Sequence, residues 1–174
     1  MGITPEEGKQ SEQYQIFVGK QLNKSIHRVK GKNLLEFAES LGDTNPKYIK
    51  VGTTDDEKPD YSTIVAHPSY PNCFTVDSAF DLVNWRYPLK DGETEARKFI
   101  TNYGKVLHAE QEYDYSKAET PIVHGQKLYS TGFLEKAYIQ NGKLWLRTHI
   151  DTYTEDGKLV VQSKVMVVVR EGGF

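Results

Sequence analysis

The sequence holds one cysteine, Cys73, so no disulfide can form within the chain and the fold must rest on a packed core. A lone thiol suits a reducing compartment. An excess of one charge is also missing: 22 Lys and Arg against 24 Asp and Glu leave a net charge of −2, with both signs interspersed. No basic face for a phosphate backbone is implied, which sets nucleic acid aside as a partner. No apolar run approaches the roughly 20 residues that span a bilayer. The opening MGITPEEGKQSEQ lacks the hydrophobic stretch of a secretory signal, and a cytoplasmic location is expected. There is no Gly-rich phosphate loop and no GxSxG elbow. The histidines His27, His67, His108, His124 and His149 show no compact ligand spacing, so neither a metal nor another cofactor is expected.

What is present reads as one globular unit. Hydrophobic residues make up 37% and charged residues 26% of 174 positions, an ordinary balance for a single domain with a real core. Residues 1–13 read as a flexible leader and residues 14–174 as the domain. In the second half, period-2 alternation marks strands. Val106 to Tyr115 puts Leu107, Ala109, Gln111 and Tyr113 on one face and His108, Glu110, Glu112 and Asp114 on a solvated one. Leu128 to Gln140 meets Lys143 to Tyr153 through Asn141-Gly142, a dipeptide that supplies positive φ for a tight hairpin. Glu155-Asp156-Gly157 turns the chain into Lys158 to Arg170, apolar on both faces around Val165 to Val169 and so expected near the middle of the sheet. Four such strands with short connections predict an antiparallel meander.

Helical spacing of Leu34, Leu35, Phe37, Ala38 and Leu41 predicts the main helix over Lys32 to Leu41, closed by Gly42. Asn45-Pro46 reads as a helix cap and first turn. Thr53 to Asp60 is a polar loop, Asn72 to Trp85 a short helix with Phe74, Ala79 and Leu82 inward, and Glu93 to Asn102 another helical turn or two. One main helix on one antiparallel sheet gives an α+β domain. Its edge strands need partners, so a dimer is expected.

The most specific string is FAESLGDTNPKY, Phe37 to Tyr48. It resembles the G-D-x-N-P-x-H loop of MaoC-like dehydratases and (R)-specific enoyl-thioester hydratases, matching at Gly42, Asp43, Asn45 and Pro46. Ala66 to Pro71 (AHPSYP) is similar to that family's A-P-P-T-F-like segment, and Leu107 to Gln111 (LHAEQ) to its L-H-x-E-Q strand. The resemblance implies a hot-dog fold that pairs into a double hot-dog. It also implies an acyl-CoA or acyl-carrier-protein thioester as substrate, in the context of fatty acid metabolism. In catalytic members of the family, Asp and His act together on water, adding it across an enoyl thioester or removing it from a 3-hydroxyacyl thioester. An imidazole suits this work because its pKa near ~6.5 lets it take and return a proton close to neutrality.

The departure lies at that histidine, where this chain has Tyr48. A phenol, with a reference pKa of about 10, is a hydrogen-bond donor rather than a ready base. The same departure marks the non-catalytic halves of two-part dehydratases. By resemblance, the chain is the acyl-pocket-shaping subunit of a hydro-lyase assembly. It would act as a homodimer, or as a heterodimer with a catalytic hot-dog subunit. Asp43 and Tyr48 are the catalytic candidates; Asn45, His67, Pro68 and Tyr70 are the substrate-binding ones. Each has a plainer reading. Asp43 can hold a glycine turn, Asn45 can cap a helix, Tyr48 can pack, and His67 can be a loop histidine without chemistry. Cys73 reads as a small buried thiol. Two alternatives stand beside the hydratase: a hot-dog thioesterase using Asp43, and a non-enzymatic acyl-CoA-binding module.

Overall fold

A computed structural model describes residues 2–174. Seven strands and four α-helices form in chain order: α1 (Pro5–Ser11), β1 (Ser25–Arg28), α2 (Gly31–Ser40), α3 (Pro46–Ile49), β2 (Gly52–Thr53), β3 (Pro59–Asp60), α4 (Asn72–Ala79), β4 (Val106–Asp114), β5 (Lys127–Gln140), β6 (Lys143–Tyr153) and β7 (Leu159–Val169). Five of the strands make one antiparallel sheet in the order β1-β5-β6-β7-β4, and β2 and β3 pair separately. The α+β class and the three long C-terminal strands match the sequence reading. Asn141 and Gly142 take φ of 51° and 66° and close the β5–β6 hairpin. Leu144, Leu146, Thr148 and Ile150 of β6 are all fully buried, as the alternation requires.

Several expectations are corrected. The meander has three strands, not four. β4 lies beyond β7 and pairs with it, because residues 115–126 carry the chain across before β5 begins. β7 is therefore interior, between β6 and β4. A bulge between His108 and Glu110 shifts the β4 alternation, so Leu107 is 46% exposed and Val106 packs on the core instead. Residues 93–102 form no helix: Arg86 and Lys98 make a bridge there, and a short 3-10 turn follows at Tyr103–Lys105. The Thr53 to Asp60 loop is the tip of the β2–β3 hairpin.

The helix packed against β5, β6 and β7 is α4, not α2. Its inward residues include Thr75, Ser78 and Ala79, all buried, and these small side chains let the sheet approach closely. The hydroxyls are satisfied locally: Thr75 donates to the Pro71 carbonyl at 2.8 Å and Ser78 to the Phe74 carbonyl at 3.2 Å. With small or polar Thr75, Ser78 and Ala79 among its inward positions, α4 carries no strong apolar stripe, so periodicity favoured α2. The core has two parts. The larger joins Phe17, Leu82, Trp85 and Phe99 to Leu134, Leu146 and Val167. The smaller joins Leu34, Ile64, Tyr70 and Phe74 to Leu128 and Val160.

Within the expected leader, Pro5–Ser11 form α1. Thr4 caps α1 in a reciprocal capping box with Glu7. Ser11 is buried; its Oγ donates to the Glu7 carbonyl at 2.6 Å and accepts the Ile139 N–H at 2.8 Å. Further along, Gly19 N–H donates to Leu134 O, Leu134 N–H to Lys20 O, and Leu22 N–H to Gly132 O. The N-terminal segment thus covers the β5 edge beyond the reach of β1.

Ser11→Ala strands a buried Ile139 N–H and should lower unfolding free energy by about 1–3 kcal/mol in denaturant titration. Gly132→Ala pushes a Cβ into the His149 carbonyl and Ile150. The expected loss is about 1–3 kcal/mol from overpacking, read in the same titration.

Candidate functional site

The loop after α2 is built by consecutive turn devices. Gly42 takes φ 70°, its N–H donates to Glu39 O, and the Asp43 N–H reaches back to Ala38 O at 3.2 Å. Those two bonds are a Schellman closure, which needs a left-handed residue where Gly42 stands. Asp43 Oδ1 then accepts the Asn45 N–H at 2.8 Å. Asn45 Oδ1 accepts the Lys47 N–H at 3.1 Å, with Pro46 opening α3. Gly42, Asp43, Asn45 and Pro46 therefore each have a backbone task, and Asp43 keeps Oδ2 free of these bonds.

That oxygen faces a second segment. Asp43 Oδ2 lies 3.3 Å from His67 Nε2, with the two side chains 26% and 21% exposed. The His67 ring is fixed on its other side. Ser69 N–H donates to Nδ1 at 3.2 Å, and Ser69 Oγ lies 2.7 Å from the same nitrogen. A backbone N–H can only donate, so Nδ1 is the acceptor and the proton of the neutral ring sits on Nε2, towards Asp43. Tyr48 meets the imidazole edge-on at 5.2 Å between centroids, and Phe37 meets it at 6.1 Å. Sequence reading named Asp43, Tyr48 and His67 separately; the fold brings all three together.

The other candidates divide. Asn45 is an exposed helix cap. Pro68 is exposed, and its carbonyl accepts the Tyr115 hydroxyl at 2.5 Å, which ties the loop to the end of β4. Tyr70, expected at the substrate, packs in the smaller core: it is 1% exposed, and burial pushes its phenol pKa up to about 12. Its hydroxyl lies 3.2 Å from His27 Nε2. Cys73, expected buried, is exposed in the first turn of α4. Ser69 and Tyr115 escaped the sequence reading. Ser69 had a signal, since a serine two residues after a loop histidine is within local bonding reach; Tyr115 had none. Beside the site is a cavity of about 190 Å³ lined by Lys47, Tyr48, Val65, Ala66, Pro68 and Tyr115 among others. Among the described residues no group of three or more His, Cys, Asp or Glu could hold a metal ion. No helix among them is long and apolar enough to cross a membrane.

A family model described as the FAS1-like dehydratase domain region matches residues 16–163. The chain belongs to that family. Its members include the MaoC-like proteins whose loop the sequence resembles. A UPF0336 protein of Streptomyces griseus is 26% identical over 157 residues, covering 90% of this chain and 94% of the relative. Solved structures with the same fold include the HadBC (3R-hydroxyacyl-ACP dehydratase) complex of Mycobacterium tuberculosis, with a TM-score of 0.61 and 13% identity over 87% of this chain and 96% of that one. A MaoC-like dehydratase from Rhodospirillum rubrum gives a TM-score of 0.56 and 18% identity, over 90% of this chain and 94% of that one. The curled sheet around α4 is a hot-dog fold, and the chain is a dehydratase-like unit of it.

The dehydratase-like site rests on the smaller core, where His27 stacks on Phe74 at 4.9 Å. Burial holds the His27 pKa below the ordinary histidine value, against a weaker opposite pull from Asp77. The unfolded chain therefore binds this proton more readily than the folded one. The stability carried by the neutral ring is complete above the unfolded pKa of ~6.5 and is lost as pH falls through the lower folded value. Melting temperature should drop between pH 7 and 5, and His27→Gln should make that slope shallower; equal slopes would remove His27 from the account.

Proposed function

We propose that this chain is a subunit of a 3-hydroxyacyl-thioester dehydratase or enoyl-thioester hydratase, acting as one half of a double hot-dog. Its partner is a hot-dog unit that carries the loop histidine, and this chain shapes the acyl pocket of the assembly. The observation that carries the reading is Tyr48. It stands where the resembling loop has histidine, and its ring lines the cavity between the 64–71 loop and Tyr115 at the end of β4. Support comes from the family match and from the likeness to HadBC, a complex whose name gives a 3-hydroxyacyl-ACP as substrate. β4 adds a physical reason for pairing. It is a nine-residue edge strand with its outer backbone groups unpaired within the sheet and Leu107 exposed beside them.

The test is hydration of crotonyl-CoA and of a longer trans-2-enoyl-CoA, followed by loss of enoyl absorbance. The chain is assayed alone and mixed with a histidine-containing hot-dog protein from the same genome. Mixing should raise turnover at least about ten-fold over either chain, a barrier difference of about 1.4 kcal/mol. Leu107→Asp should remove both the gain and co-elution in size-exclusion chromatography. Thioester hydrolysis without hydration would replace this reading with a thioesterase. Acyl-CoA binding without turnover in any combination would replace it with a binding module.

A further inference from the structure

What the side chains of β4 present to an incoming strand is set by its register with β7. Val165 and Val167 of β7 belong to the core, and Gln111 and His108 stand opposite them. Met166, Lys164 and Gln162 alternate with those valines, and opposite them stand Glu110, Glu112 and Asp114. Three carboxylates therefore line the outer face of the open edge, and all three residues are exposed. We infer that this acidic row chooses the partner. It opposes pairing of two copies of this chain through β4, and it favours an edge strand with Lys or Arg at alternate positions of the same face. The inference deepens the subunit reading above and rests on its pairing through β4.

The charge of the row is not cancelled within the chain. Lys164 Nζ lies 3.7 Å from Glu112, with the two side chains 37% and 65% exposed, a long and solvated contact that contributes little. Lys117 and Lys164 act on Asp114 from farther away. Glu110 has no ion pair among the described residues.

Two-fold symmetry turns this surplus into a rule about partners. When two copies of a strand pair antiparallel about an axis normal to the sheet, residue i meets j and j meets i, and both lie on one face. Any such register centred between Glu110 and Asp114 sets at least one carboxylate directly opposite another. Side chains opposite each other in a ladder are about 4.5–5.5 Å apart at Cβ, where like charges repel and opposite charges attract. A basic strand in the same place meets attraction at each of those positions. On the inner face, Gln111 donates from Nε2 to Thr75 Oγ1, while its Oε1 is buried with no partner among the described residues. A buried acceptor left over at an open edge is a second mark of a surface completed by another subunit.

The chain itself supplies the probe. Glu110→Lys with Glu112→Lys makes a copy whose edge has the opposite sign, and Glu110→Gln with Glu112→Gln makes a neutral one. Melting curves confirm that each is folded, and sedimentation equilibrium measures association. The neutral pair of substitutions should tighten self-association at least about ten-fold over wild type. Wild type mixed with the lysine variant should form mixed dimers at least about ten-fold tighter than either forms alone. Raising salt from about 50 mM to about 500 mM should weaken the mixed dimer and strengthen wild-type self-association, since screening removes attraction and repulsion alike. Glu36→Lys with Glu39→Lys, an equal change of charge on α2, should leave association as in wild type. Self-association equal in wild type and the neutral variant overturns the inference. So does a mixture that forms no mixed dimer, or an α2 variant that pairs with wild type as well as the β4 variant does. Because the readout is mass rather than turnover, mixed dimers that obey these charges alongside a partner mixture that hydrates nothing would overturn the thioester reading and leave the selection rule standing.

Discussion

The arrangement depends on the smaller of the two apolar clusters. Leu34 from α2, Ile64 and Tyr70 from the loop, and Phe74 from α4 close on Leu128 and Val160 of the sheet. The segments that carry Asp43 and His67 are irregular and polar at their tips, and neither could hold a position alone. Burying one apolar anchor from each against the same patch of sheet offsets the conformational entropy of ordering them. The meeting of carboxylate and imidazole is therefore a packing result. Tyr70 shows how tightly the two are coupled: it sits three residues from His67, shares a T-shaped contact with Phe37 of α2 at 5.5 Å, and is itself fully buried.

Local signals carried a large part of this fold. Period-2 alternation located β5, β6 and β7 within a residue or two, and Asn-Gly located their first turn. The Gly-Asp-x-Asn-Pro string encoded its own geometry, because Gly42, Asp43, Asn45 and Pro46 each bond a neighbour two to five positions away. Strand order was not legible in the same way. Nothing near Val106 to Asp114 says that β4 passes over and lies beside β7, since that choice is made by burial across the whole sheet. The central helix was under-read for a related reason. Thr75, Ser78 and Ala79 are small and partly polar, and their burial follows from the close approach of the sheet rather than from any stripe of their own.

The site shows the same division. Asp43 and Tyr48 could be marked from a string of neighbours, whereas the contact of His67, named only as a substrate-binding candidate, with Asp43 Oδ2 became visible in the fold. Tyr70 was named because it lies in the segment similar to the family's A-P-P-T-F stretch, and its side chain fills the core. Two loop positions three residues apart can thus have opposite fates, one half-buried beside Asp43 and one turned into the core. The family match establishes the scaffold and the class of unit; which residues act on it is decided by local geometry.

The N-terminal segment has a consequence for how copies of this molecule can grow together. Residues 11 to 22 occupy the outer backbone groups of β5, and β1 offers only four residues, ending at Arg28, on the rest of that side. The opposite side offers the full length of β4. Strand addition that can proceed from one side alone uses up its only site in the first step, so the product is capped at both ends and has nowhere to elongate. Release of the segment from β5 would give the molecule two adhesive sides, the condition for open-ended polymerisation. The first turns of the chain thus leave β4 as the longest open edge of the sheet and close the side opposite to it.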